Sequence, residues 1–421
     1  MPITIKSLLC TLSLMTITSM SFAQSEVCQV DGIMQIPTAT PFSRLGRLVA
    51  VEDDILIIAD SLNWEEDLRI YRQLDDQWEL EQIIPHPLNA TLFGNAICIA
   101  DGRIFVAAKS AQNEPGIAEG AVFVYEYTGA QWELAQRVNL TNPSIPLLGE
   151  FGESIAATDQ HLIVGSEAHV YFFKRTENQW QYVQSTGGTF GPRIGASVAV
   201  HGNTAILGRH LSASDQSTID VWVNDGTSWI PNDQIQVTGL KYVVYDGTRV
   251  VTHSANSTRP IIYQRSDSPT GWTISFLESL GWDRMGSDSQ VSIDYPYLLV
   301  GSSDNNKAAV FEHDGNQSLW TLLHELNGED FDLENLGNSV GLSNSTIVLS
   351  NNNRKSPVMA TIACTLCRAD LNQNQMSDLE DVFLFILALS ERNQSADFNE
   401  DGSINYLDIS EFLHIHAIGC P

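Results

Sequence analysis

Short apolar runs separated by tight polar turns dominate residues 42–366. Leu162-Ile163-Val164-Gly165 and Ala205-Ile206-Leu207-Gly208 are continuous apolar runs, the pattern of a strand buried on both faces. A small apolar stretch precedes each of them, Ser154-Ile155-Ala156 and Ser197-Val198-Ala199. Between such runs lie hairpin turns such as Asp101-Gly102-Arg103 and His201-Gly202-Asn203, where Gly supplies a positive φ at little cost. A third strand follows, as in 120–127 and 308–313. A fourth carries a Trp, as in 77–84 and 131–136.

This four-strand phrase repeats. Trp78, Trp132, Trp180, Trp229, Trp272 and Trp320 recur at near-even intervals along the chain. A second marker, an apolar residue followed by Gly, stands ahead of most of them: Leu45-Gly46, Phe93-Gly94, Phe151-Gly152, Ile194-Gly195, Met285-Gly286 and Leu336-Gly337. Four strands in each such interval make a β-propeller blade. The phrases predict an all-β, seven-bladed β-propeller with blades near 42–87, 92–144, 150–188, 193–239, 240–281, 284–330 and 335–364. The fifth lacks its Gly marker, and the seventh lacks a Trp strand. Residues 24–37 precede the first Gly marker, where each fourth strand precedes the next blade, so they are expected to close the ring as the missing strand.

The phrases resemble the FG-GAP repeat family, through Phe93-Gly94 and Phe151-Gly152 above all. The resemblance covers nearly all of 42–366. It implies a propeller like that of integrin α-chain heads. Blades of that type often carry an Asp-x-Asp-x-Asp-Gly calcium loop, and none is found between 42 and 366.

Charge narrows the partners. The chain holds 51 acidic residues against 22 Lys plus Arg, a net charge of −29. Such a surface repels phosphate backbones and anionic membranes, which argues against nucleic acid as a partner. It favours solubility and divalent cations. Residues 1–23 read as a secretory signal peptide: Lys6 is the only charge before Glu26, an apolar stretch covers 8–20, and Ser21-Phe22-Ala23 offers a cleavage site. The mature protein is expected to be secreted or at the cell surface, with no membrane span after cleavage.

Residues 367–421 form a second module, in which ten acids face only two arginines. Two oxygen-rich segments within it repeat one another. The first offers Asp370, Asn372, Asn374, the carbonyl of Met376 and Asp381. The second offers Asp397, Asn399, Asp401, the carbonyl of Ser403 and Asp408. Loop positions 1, 3, 5, 7 and 12 are those from which an EF-hand-like loop holds calcium. Gly402 allows the sharp turn in the second loop, while Gln375 stands at the matching place in the first. An amphipathic helix is predicted after each loop, with Leu379, Val382, Phe383, Ile386 and Leu389 on one and Ile409, Phe412 and Leu413 on the other. A calcium loop followed by one helix, twice, resembles a dockerin. The framing by Cys367 and by Gly419-Cys420 resembles the variant that ends many exported bacterial proteins. The resemblance implies two bound Ca2+ ions and a protein partner, either cohesin-like or a cell-surface component.

Five cysteines remain after cleavage. Ring closure brings Cys28 and Cys364 together, and the limits of the tail pair Cys367 with Cys420. A local Cys364–Cys367 bridge is the rival. Cys98 lies in an apolar strand and reads as core. No His-Glu-x-x-His, Gly-x-Ser-x-Gly or P-loop occurs, and His414 and His416 at i, i+2 face different ways. The expectation is a secreted, non-catalytic binding or adhesion protein whose propeller presents a protein- or glycan-binding surface. The alternative is an enzyme or accessory protein of extracellular polysaccharide breakdown.

Overall fold

The computed structural model of the chain describes residues 25–35, 44–62, 65–74, 77–114, 117–140, 151–187, 193–210, 216–254, 260–268, 271–279, 290–314, 319–351, 357–367, 371, 379–391, 396, 404, 408–409 and 412–413. Residues 1–23, expected to be a signal peptide, lie outside them. Two compact units are formed, Val30–Ile362 and Met1–Gln29 with Ala363–Pro421.

Seven antiparallel sheets make a seven-bladed β-propeller. Their innermost strands are Arg44–Glu52, Ala90–Ala100, Ser154–Ala157, Arg193–His201, Leu240–Tyr245, Val291–Asp294 and Val340–Ser343. Each of these strands meets the next, and the seventh meets the first, so the ring is closed. In blades 1 to 6 the four principal strands follow one another in sequence. In blade 7 the outermost strand, Ser25–Gln35, comes from the other end of the chain and lies beside Val358–Cys367.

The repeated residues work between blades. Trp side chains fill the seam with the preceding blade. Trp180 meets Phe105 edge-on at 5.4 Å, and Trp229 stacks on Phe172 at 5.2 Å. Trp320 packs with Val251 and Ile262 of blade 5, and Trp78 with Val348 and Met359 of blade 7. The apolar half of the Gly marker is core: Phe93, Phe151, Ile194 and Leu336 are all buried. The Gly half sits where a side chain has no room. Gly195 has φ +95, and a Cβ there would lie 2.8 Å from the His169 carbonyl; Gly337 has φ +87 and abuts Gly301 of blade 6. Blade 5 dispenses with the marker because Leu240 and Val243 fill the space over Gly208 with side chains instead.

Polar bonds join the same seams. The Ser of the phrase reaches the next blade: Ser154 Oγ donates to the Gly195 carbonyl (2.7 Å), Val243 N–H donates to Ser197 Oγ (2.9 Å), and Val49 N–H donates to Ser339 Oγ (3.2 Å), which closes the ring. Further out, a Gln four positions after each early Trp grips the next Trp through both peptide groups. Gln82 holds Trp132, Gln136 holds Trp180 and Gln184 holds Trp229, at 2.7–3.0 Å throughout.

Candidate functional site

Eight of the ten expected calcium ligands, Asp370, Asn372, Asn374, Met376, Asp397, Asn399, Asp401 and Ser403, fall outside the described residues. The two position-12 carboxylates are described. Asp381 and Asp408, at matching places in the two repeats, are both helical and fully buried. Leu371 N–H donates to Asp381 Oδ1 at 2.7 Å, so the entry and exit of the first loop are tied together. Four positions after each carboxylate comes a Phe, and Phe385 and Phe412 stack face to face at 4.0 Å. Leu371, Ala388 and Ala396 complete this small core.

One α-helix of the tail is described in full, Leu379–Glu391; of the second, Asp408, Ile409, Phe412 and Leu413 are helical. The buried stripe keeps part of the one the sequence suggests, with Val382 and Leu389 packed against this core and Phe412 within it, and departs from the rest. Asp381, Phe385 and Ala388 face inward, whereas Phe383, Ile386 and Leu387 are exposed, as are Ile409 and Leu413. The carboxylate sets the rotation: with Asp381 turned inward, positions i+4 and i+7 follow it. A buried carboxylate is costly unless it is paired or holds a cation. Carboxylates at matching places in two oxygen-rich repeats are of the donor type that a hard divalent cation takes. Cys28 lies on the strand Ser25–Gln35, and Cys364 and Cys367 on the neighbouring strand Val358–Cys367. The side chains of these three and the whole of Cys420 are outside the described residues.

In the propeller, the innermost strands are mostly apolar, with half-buried Ile97, Ile99, Ala156, Val200, Val244 and Ile293. Acids collect at the end where these strands turn back. Glu52, Asp53, Asp101, Asp246 and Asp294 form an arc from blade 5 through blades 6 and 1 to blade 2. Blade 7 contributes Asn344 between them: its backbone N–H donates to Asp294 and its side-chain amide to Asp53 Oδ1 (2.9 Å). Gly102 N–H donates to Glu52 Oε2 at 3.3 Å. Burial, reinforced by Asp53 and Asp101, pushes the Glu52 carboxyl above its ordinary range. Burial, with Asp53 and Asp246, does the same to Asp294. Next to Asp294, half-exposed Tyr295 is capped by the Arg249 guanidinium at 3.9 Å and bonds His313 Nδ1 at 3.1 Å. An open depression of about 470 Å³, lined by Gln160, Arg175, Glu177 and Asn178, lies on blade 3. Among the described residues, no group of three or more His, Cys, Asp and Glu is placed to hold a metal. Burial also holds the Cys98 thiol far above its ordinary range, consistent with core. Linear motif reading missed the arc. Its only trace in the sequence is an acid at or beside the first turn of blade after blade.

No protein-family model matches the chain, and no curated protein matches it in sequence. Solved structures share the architecture. A candidate 6-phosphogluconolactonase from Bacteroides uniformis is 10% identical over 70% of this chain and 88% of its own, with a TM-score of 0.50. A periplasmic gluconolactonase from Pseudomonas aeruginosa is 15% identical over 69% and 86%, with a TM-score of 0.48. A protein from Lactobacillus plantarum is 12% identical over 72% and 96%, with a TM-score of 0.47. At these identities the likeness is one of fold. It nevertheless corrects the expectation that the chain is not an enzyme. That expectation rested on missing linear motifs, and a propeller named as a candidate 6-phosphogluconolactonase shares this architecture. A propeller site is assembled from several blades and leaves no contiguous motif.

Proposed function

We propose that this chain is an exported FG-GAP-type propeller that engages a hydroxyl-rich ligand, a glycan, at the turn end of its channel. Its dockerin-like, calcium-folded tail attaches it to a cohesin-like or cell-surface protein. The observation that carries this reading is the matched pair of buried loop-end carboxylates, Asp381 and Asp408. Calcium there would tie each loop to its helix and turn ion binding into folding free energy. The exposed Phe383, Ile386 and Leu387 then present a small apolar patch on an acidic module.

For the propeller, support comes from the arc of carboxylates, Asn344 and the neighbouring Tyr295. Polar groups that accept from hydroxyls, beside an aromatic face, suit sugars. A second reading, glycoside hydrolysis, is favoured by Glu52 and Asp294, because a carboxyl raised above its ordinary range can serve as a general acid. The test is a glycan array together with a panel of glycoside substrates, run on the purified chain and on Asp294→Asn and Tyr295→Ala. Binding or turnover that both variants reduce at least tenfold is the expected result. No signal on either platform sinks the glycan reading, and turnover that Asp294→Asn leaves unchanged sinks the hydrolytic one.

A further inference from the structure

The open depression of about 470 Å³ on blade 3 is built from polar side chains of two turns and a strand end. Gln160 comes from the first turn of the blade, Arg175 from the end of the strand His169–Thr176, and Glu177 and Asn178 from the turn that follows. Thr176 pairs with Gln179 across that turn, so it is a two-residue hairpin, and both of its residues are left-handed, Glu177 at φ +51 and Asn178 at φ +63. The backbone that carries the two side chains is therefore fixed. The repeat does not impose this set. At the place of Arg175, where a backbone N–H donates to a carbonyl of the first turn, other blades carry Gln73, Asn224, Arg265 and His313.

Arg175 is held by its neighbours on one side. Its Nη2 donates to Asn178 Oδ1 (3.0 Å) and to Glu126 Oε1 of blade 2 (3.2 Å). The same Glu126 oxygen accepts from Arg103 Nε (2.8 Å), and Arg103 Nη1 donates to Asp101 of the acidic arc. One relay of charged side chains thus joins the depression to the mouth of the channel. The third strand lies two strand spacings out from the first, on the order of 10 Å. Three groups of the lining are unspent: the Glu177 carboxylate, Gln160 Oε1 and the Asn178 amide N–H groups make no hydrogen bond among the described residues.

Resting on the reading of the channel mouth as a glycan site, we propose that the depression on blade 3 is its outer subsite. It takes neutral sugar units of a chain long enough to run outward from the arc along blades 2 and 3. A hydroxyl both gives and accepts a hydrogen bond, and the unspent groups offer acceptors beside donors, which suits adjacent hydroxyls. The volume falls among those of small-molecule sites, roughly 300–1,000 Å³. The ring would be held by its edge, since the lining has no aromatic side chain. Charge selects a neutral unit. The guanidiniums of Arg103 and Arg175 are already matched by Asp101 and Glu126, whereas Glu177 and neighbouring Asp159 form no ion pair among the described residues. An anionic sugar would meet that surplus of negative charge.

The test is isothermal titration calorimetry of the whole chain with neutral gluco-, manno- and xylo-oligosaccharides, each from the disaccharide to the hexasaccharide. At least one series should bind, with the hexasaccharide at least tenfold tighter than the disaccharide. Glu177→Gln, Gln160→Ala and Asn178→Gly combined should bring the hexasaccharide down to the affinity of the disaccharide. All three positions are exposed, and Gly suits φ +63, so the fold is kept. Asp294→Asn should instead weaken every length. A gain with length that survives the triple variant overturns the outer subsite and leaves the channel reading standing. Binding lost in the triple variant at every length but untouched by Asp294→Asn overturns the channel reading and leaves the depression as the site. Tighter binding of oligogalacturonates of the same length refutes the choice of a neutral ligand, and no binding by any series ends both readings.

Discussion

Replacing Gln136 by Ala removes two hydrogen bonds at once, one to the Trp180 N–H (2.7 Å) and one to its carbonyl (3.0 Å). A net bond is worth about 0.5–1.5 kcal/mol, so an ideal loss is about 1–3 kcal/mol. The clamp is half-buried, so water can take up part of the vacated bonding, and about 1–2 kcal/mol is expected. At about 1.4 kcal/mol per tenfold, the Trp180 amide should exchange roughly 5–30 times faster, measured by native-state hydrogen exchange. Gln136→Glu keeps the acceptor and loses the donor, so it should fall between parent and Ala. Gln234→Ala is the control. Gln234 bonds Asp220 within its own blade at 2.7 Å, so its loss should leave the blade 2–3 seam untouched. If Gln136→Ala changes Trp180 protection less than twofold in a folded protein, the clamp is decorative and the account of the seams is wrong.

Other outcomes follow from the same contacts. Gly195→Ala places a Cβ 2.8 Å from the His169 carbonyl at φ +95, and should cost about 2–3 kcal/mol in urea denaturation of the whole chain. Chelating calcium should speed exchange across residues 379–391, with Asp381→Asn and Asp408→Asn reproducing the effect in the presence of the ion; an unchanged helix would refute the calcium reading of the tail. Glu52→Gln should raise the urea midpoint at pH 7. The parent carboxyl is held above its ordinary 4.5, so its folded form binds the proton more tightly and stability falls as pH rises through that range. The advantage should disappear as pH drops below 4.5, and a variant that is no more stable at pH 7 contradicts the burial argument.

The seven-fold plan was legible because each blade repeats both a hydrophobic period and two markers, Trp and Gly. What those markers do was not legible, since their partners lie in other repeats. Gln82, Gln136 and Gln184 stand at one offset from Trp, yet the bond they make is to the Trp of the following blade. The acidic arc escaped for the same reason, since its members and the Asn344 that bridges them come from five blades. In the tail, the repeated oxygen-rich segment singled out Asp381 and Asp408, and both are helical and buried. The apolar stripe put Phe383 and Ile386 on the buried side because hydrophobicity was weighed without the inward-facing carboxylate. The step from missing motifs to a non-catalytic chain failed because a linear motif needs a site on one segment.

The seventh blade takes its outermost strand from residues 25–35 and its other three from residues 340–367. The first strand of the propeller to be synthesised is therefore the last to find its place, and it waits for a neighbour more than 300 residues further along the chain. Loops this long close slowly, and the intervening six blades must be in register first. Assembly is thereby tied to complete synthesis: a chain stalled or cut short before residue 358 leaves the Ser25–Gln35 strand without the edge it pairs with. Such a joint acts as a check on chain length: the ring shuts only once both of its distant strands exist.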